Sequence, residues 1–275
     1  MTDDEAVRAH WREKAPAWSG WADTMAAMAD RFNQPLLDAV GAGAGDRVLD
    51  LAAGAGEPAL SAAARVGETG CVIATDLVPE MLAGLAKREG AARLHLAAAD
   101  MQRLPIAEAC IDRVTCRFGI MFVPDAALAL AEVRRVLRPG GTCGFLVWGP
   151  RADQTLFTVL GDAVAAIAGL PDDDPHFQIF TYGEAGSLAR AMETAGLSEV
   201  QERPLAFTPT APADRPFWRP QLAMSFGHRV DMEDKALLRR LDEAIRERLA
   251  PLKTEDGSAY RMRVHLRLAT GARPA

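Results

Sequence analysis

Three carboxylates, Asp50, Asp76 and Asp100, stand 26 and 24 residues apart, and each closes an apolar run. The first lies in V-L-D-L-A-A-G-A-G-E-P-A, Val48 to Ala59, where Gly54 and Gly56 strip side chains from a turn between a strand and a helix. Bare main chain at such a turn admits a nucleotide-like ligand. Gly54-x-Gly56-x-x-Ala59 also satisfies the dinucleotide pattern G-x-G-x-x-[GA], so an NAD(P)-dependent oxidoreductase is one reading. Asp76, 22 positions after Gly54, suits a ribose, whose two hydroxyls it can accept, or the N-cap of the helix opening at Val78-Pro79. Asp100, in A-A-A-D-M, lies outside the dinucleotide pattern; a carboxylate there suits an adenine amino group, with Met101 on the ring. Together with Asp50, a negative charge that a phosphate-binding turn disfavours, this favours S-adenosylmethionine (SAM) over a dinucleotide.

The elements that must position these acids alternate. Apolar runs predict strands at Arg47–Leu51, Cys71–Asp76, Arg93–Ala98, Ile111–Arg117 and Thr142–Trp148, with helices near Pro58–Val66, Pro79–Arg88 and Asp125–Leu137 between them. Runs apolar on both faces indicate a parallel sheet covered by helices, and the carboxyl ends of its strands line one crevice. Residues 1 to about 45 read as a helical cap anchored by Trp11, Trp18, Trp21, Met25, Met28 and Phe32, with Asn33 capping a short helix that opens at Pro35. After Gly149 the rhythm changes: a helix near Gln154–Ala168, a capping box at Thr181/Glu184, a strand near Glu199–Thr208, an aromatic stretch from Pro216 to His228, a helix capped by Asp231 and a last strand, Arg261–Thr270. The expectation is an α/β fold, an open, mostly parallel, Rossmann-like seven-stranded sheet with helices on both faces and its last strand antiparallel. Residues 46–275 form its SAM-binding domain, with cap insertions at about 151–180 and 211–230.

Composition narrows the classes. The chain has 275 residues, 49% hydrophobic, and a net charge of −6 with its basic residues spread out. That weighs against nucleic acid and membrane surfaces. From the polar start, MTDDEAVRAHWREK, no signal peptide is expected, and no apolar run reaches the length needed to span a bilayer. Cys71, Cys110, Cys116 and Cys143 form no C-x-x-C pair, so free thiols and a cytoplasmic location are expected. No cluster has metal-ligand spacing, and no metal is expected.

As a set, V-L-D-L-A-A-G-A-G-E-P-A, T-D-L-V-P-E-M-L, A-A-A-D-M-Q-R-L-P, I-D-R-V-T-C-R-F-G-I-M-F-V-P-D and R-V-L-R-P-G-G resemble the class I SAM-dependent methyltransferases of the broad UbiE/Coq5-like small-molecule group. The match is best over Arg47 to Trp148. It implies that Asp50, Ala52, Gly54 and Gly56 face the methionine part of SAM, that Asp76, Leu77 and Met81 surround the ribose, and that Asp100 and Met101 frame the adenine. Cys116 and Arg117 would lie beside the sulfonium and the acceptor. One segment departs from the group's quinone enzymes, which carry an acidic residue and Ser or Phe after the fifth strand; here Trp148-Gly149-Pro150 follows, which weighs against a quinone-precursor acceptor.

For the acceptor side, Trp18, Trp21, Met121, Phe177, Tyr182 and Trp218 are expected to form an apolar cap, and His176, His228 and Arg117 are the candidates for proton transfer. His95 and His265 fall within predicted strands and read as structural. The expected reaction is in-line methyl transfer from SAM to a small, partly apolar acceptor in specialised metabolism, where alignment does most of the work. A SAM-binding protein that acts as scaffold or cyclase would present the same donor pocket. Oligomeric state is open, a homodimer included.

Overall fold

The computed structural model describes residues 3–20, 22–169, 171 and 175–275. Helices α1 (Asp3–Gly20) and α2 (Ala22–Ala39) precede β1 (Arg47–Leu51), α3 (Ala59–Val66), β2 (Cys71–Asp76), α4 (Pro79–Leu85), β3 (Leu94–Ala98), β4 (Ile111–Arg117), α5 (Ala126–Val136) and β5 (Leu137–Trp148). There follow α6 (Thr155–Ala168), α7 (Ser187–Thr194), β6 (Ser198–Phe207), β7 (Thr210–Pro212), α8 (Arg219–Phe226), α9 (Lys235–Leu249), β8 (Ala259–Arg261) and β9 (Val264–Ala272).

Seven strands form one sheet in the order β3-β2-β1-β4-β5-β9-β6, and β7 with β8 makes a separate antiparallel ribbon. Strands β1 to β5 pair in parallel, with Val48 opposite Val72 and Arg113. Strand β9 runs against β5: Gly140 N bonds Arg273 O at 3.0 Å, whereas Gly149 N bonds His265 O at 2.8 Å. The expected seven-stranded architecture is therefore observed, with the reversed strand inside the sheet beside β5.

The chain divides into two compact units, one of residues 1–147, 185–203 and 267–275, the other of 148–184 and 204–266. In the first, Val48, Val72, Ala74 and Leu94 pack on Ala59, Ala62 and Val66 of α3 and Leu82 and Leu85 of α4. In the second, Trp218, Leu222, Leu241, Ile245 and Tyr260 build a core of their own.

Several local expectations are corrected. Helix α2 passes through both Asn33 and Pro35. Burial of Leu36, Leu37 and Val40 outweighs the missing proline donor, and Asn33 is freed from capping. Helix α7 does not use a capping box at Thr181/Glu184; Glu202 of β6 accepts from Gly186 N at 2.8 Å and Ala189 N at 3.3 Å instead. The cap of α9 is Asp234, which accepts from Ala236 N and Leu237 N, while Asp231 only closes the preceding turn.

Candidate active site

A pocket in the first unit opens where β1, β2 and β4 end and the chain turns into helices. Ala52, Gly54, Asp76, Leu77, Met81, Asp100, Met101, Arg117 and Trp18, all expected from the sequence, line it. Asp50, Gly56 and Cys116 do not line it.

The glycine turn is shaped by backbone demands. Ala53 N continues the β1 ladder onto Thr75 O at 2.9 Å, and Gly56 N closes the turn on Ala53 O at 2.7 Å. Gly56 has φ +111°, and a Cβ there would meet Leu85 Cδ1 at 2.5 Å, so only glycine fits. Asp76 braces the turn from below: Oδ2 accepts from Gly54 N and Oδ1 from Val78 N, each at 2.9 Å. Asp76 is not the N-cap of α4, a place that Val78 takes; it stands two residues ahead and ties the end of β2 to the glycine turn. Burial raises its pKa despite these bonds. Asp100 is held by Gln102, whose backbone N–H donates to Oδ1 at 2.8 Å.

Asp50 is fully buried. Oδ1 accepts from Thr115 Oγ1 at 2.8 Å, and Oδ2 has no partner. Burial pushes its pKa up to about 7, against the opposing pull of Thr115 and Arg117. Burial likewise lifts the Cys116 thiol to about 12, so it stays protonated. Asn33 Nδ2 donates to Glu57 Oε2 at 2.6 Å and Ser61 Oγ at 2.8 Å, and its Oδ1 accepts from Arg117 Nη1 at 3.1 Å. Arg88 joins the same cluster, reaching Ala55 O at 2.6 Å and Glu57 Oε1 at 3.2 Å. Trp11, Trp18, Phe118 and Phe122 add aromatic surface to the pocket; Trp11 meets Phe122 edge-on at 4.8 Å and Trp18 at 5.9 Å, and the Arg117 guanidinium lies 5.7 Å from the Phe118 ring centre.

Sequence reasoning missed Asn33, Glu57, Phe118 and Gly119 as parts of the site. Glu57 lay in the glycine motif but carried no separate signal. A Cβ at Gly119 would strike Ala52 Cβ at 2.5 Å and Cys116 Sγ at 2.9 Å, a close approach that sequence does not announce.

Other expected residues lie elsewhere. Trp218 is no cap residue: it is fully buried in the second unit's core, where its indole N–H donates to Asp242 at 2.9 Å. Met121 is buried and does not line the pocket. Tyr182 and His228 belong to the second unit, and His228 is exposed. Trp21 and the side chains of His176 and Phe177 lie outside the described residues. His265 pairs through Nδ1 with Asp153 Oδ2 at 3.2 Å. Among the described residues no group of His, Cys, Asp and Glu could hold a metal ion, and no helix is long and apolar enough to cross a membrane.

The residues present fit a small zwitterionic nucleoside. The strand-end acids Asp76 and Asp100 line it, Gly54 and Gly119 add no side chain, and Trp18 Nε1 and Arg117 Nε are buried without a partner. Residues 48–141 match the family model described as Methyltransferase domain (Methyltransf_25). The demethylmenaquinone methyltransferase of Mycobacterium sp. (strain KMS) is 35% identical over 187 residues, covering 64% of this chain and 78% of that protein. The ubiquinone/menaquinone biosynthesis C-methyltransferase UbiE of Cupriavidus metallidurans is 35% identical over 176 residues, 57% of this chain and 69% of that one. The YcgJ protein of Bacillus subtilis shares the fold, with a TM-score of 0.55 at 20% identity over 88% of this chain and 98% of that one. The chain belongs to the class I SAM-dependent methyltransferases, in their UbiE-like group. Its cofactor is SAM, and the nicotinamide reading is set aside.

Proposed function

We propose that this enzyme methylates a small, largely apolar ring acceptor of the quinone-precursor type. The supporting observation is the aromatic side of the donor pocket, Trp11, Trp18, Phe118 and Phe122, which offers flat apolar contact to such a ring. The relatives' names point the same way, and they outweigh the departure at Trp148-Gly149-Pro150 and the expectation of specialised metabolism.

SAM supplies a methyl group already activated by the sulfonium charge. The chain's own part is to bind, orient and exclude water. Asp76 accepts the ribose hydroxyls, with Leu77 and Met81 beside it. Asp100 accepts the adenine amino group, and Met101 packs on the ring. Cys116, held protonated, is a neutral filler beneath the reacting end. Alignment of acceptor and methyl is worth about 7 kcal/mol or more; the sulfonium becomes a neutral thioether, and the proton that the methyl replaces on the acceptor leaves to solvent or a base.

Incubation with methyl-labelled SAM and a demethylated quinol tests the reading. Label in the quinol product is the expected result. Saturable SAM binding with no label passed to quinols or other ring acceptors would reduce the protein to a SAM-holding scaffold or cyclase.

A further inference from the structure

Helix α1 bridges two rims of the donor pocket. Val7, Trp11 and Trp18 line the pocket from α1, while the strand-end acids line it from the sheet. Toward β2 and α4, Arg8 Nη1 donates to Leu77 O at 3.2 Å, Arg12 pairs with Glu80 at 3.0 Å, and Ala15 packs with Val78 and Met81. Past the end of β4, Trp11 meets Phe122 edge-on at 4.8 Å. Leu77, Met81 and Phe122 line the pocket themselves, so the helix is fastened on both sides of it.

These fastenings are slight. Among the described side chains of α1, Ala15 alone is buried, whereas α2 buries Ala22, Ala29, Asn33, Leu36 and Leu37. Arg12 and Glu80 are 53% and 48% exposed, so water screens their pair. Trp18 Nε1 is buried without a partner, a cost of the seated helix that falls away once water reaches the N–H. Helix α1 ends at Gly20, where a Cβ would meet nothing within 4 Å, so the junction before α2 has room to turn. A segment with so few buried contacts opens far more readily than the sheet beneath it unfolds.

We propose that α1 is a gate. Seated, it closes the donor pocket; it lifts about Gly20, parting Trp11 from Phe122, each time SAM enters or S-adenosylhomocysteine leaves. Ligand exchange is then paced by the helix rather than by the donor contacts alone. The gate presupposes that the donor occupies this pocket, as proposed above.

Association and dissociation rates of S-adenosylhomocysteine, followed by stopped-flow tryptophan fluorescence, separate a gate from a wall. Loss of a plain ligand contact raises dissociation and leaves association alone. Loss of a latch weakens the seat equally in the empty and the occupied protein, so both rates rise together and the Kd stays within about threefold. Phe122→Ala should speed both rates about fivefold, the size of one aromatic contact. Gly84→Leu acts from outside the pocket: a Cβ at Gly84 of α4 would stand 3.2 Å from Ser19 Cβ of α1, so a larger side chain pries the two helices apart. It should speed both rates at least as much, and it carries the test if the Phe122 variant does not fold. Unchanged rates in Gly84→Leu, or faster dissociation with unchanged association in Phe122→Ala, would overturn the gate while leaving the donor site standing. A wild-type protein that binds no S-adenosylhomocysteine would instead remove the donor reading itself.

Discussion

Arg117 in the first unit and Arg219 in the second carry the same guanidinium to opposite ends. Arg219 spends its fork on one acid: Nε and Nη2 reach the two oxygens of Asp242 at 2.8 and 2.5 Å, and Trp218 adds a third bond to the same carboxylate. That cluster is closed, and Asp242 is buried at 8% exposure with its donors supplied by the chain. Arg117 makes one hydrogen bond, to Asn33, lies over the Phe118 ring, and keeps a buried Nε without a partner. A structural ion pair completes itself within the chain, whereas a binding group keeps capacity that only a ligand fills. Polar burial alone therefore does not mark a functional site; unfilled polar burial does.

The strongest test of this contrast is on the closed side. Trp218→Ala removes the largest fully buried side chain of the second core and leaves Asp242 one donor short. The expected cost is about 3–5 kcal/mol in denaturant unfolding, with S-adenosylhomocysteine affinity of the folded fraction unchanged within twofold. A variant that unfolds normally but loses affinity would return Trp218 to the ligand site.

Next in size is Asp76→Ala on the open side. It removes the ribose acceptor and the brace under Gly54 together. Affinity for S-adenosylhomocysteine should fall by about 100-fold, equivalent to about 2.8 kcal/mol, while circular dichroism shows the sheet intact. A loss below threefold would mean that Asp76 serves the turn alone.

The two regions also differ in how far the sequence discloses them. The strand-end acids were legible because each closes an apolar run, and a parallel sheet gathers run ends on one rim. The cluster of Asn33, Glu57 and Arg117 was not. Asn33 is 84 positions from Arg117 and 24 from Glu57, and no local pattern reports such a contact. The tendency to break at Pro35 hid it further, by suggesting a cap where a helix continues. Trp218 misled for the converse reason: an aromatic run carries no direction, and Asp242, 24 residues on, is what seats it in a core. Periodicity finds the scaffold; charge satisfaction, which separates site from core, appears only when the chain is folded.

A smaller effect probes the floor of the pocket. Gly119→Ala introduces no backbone strain, since its φ is −103°, so any change comes from the methyl itself. That methyl would crowd Ala52 Cβ at 2.5 Å and Cys116 Sγ at 2.9 Å. About a tenfold loss of S-adenosylhomocysteine affinity is expected, about 1.4 kcal/mol, read by calorimetry. Affinity unchanged within twofold would show that the floor yields and is no fixed part of the site.

The finest prediction concerns what the open carboxylate does to the empty protein. Burial raises Asp50 to about 7, well above its unfolded value near 4. A raised acid favours folding while it is neutral; that contribution is complete below about pH 4 and drains away as pH climbs through 7. Asp50→Asn cannot ionise, so it escapes the loss. Without ligand, its stability relative to the wild type should improve by about 2–3 kcal/mol between pH 5 and pH 8, read as diverging Tm values. A gap that is the same at both pH values would mean that burial does not raise Asp50 as described.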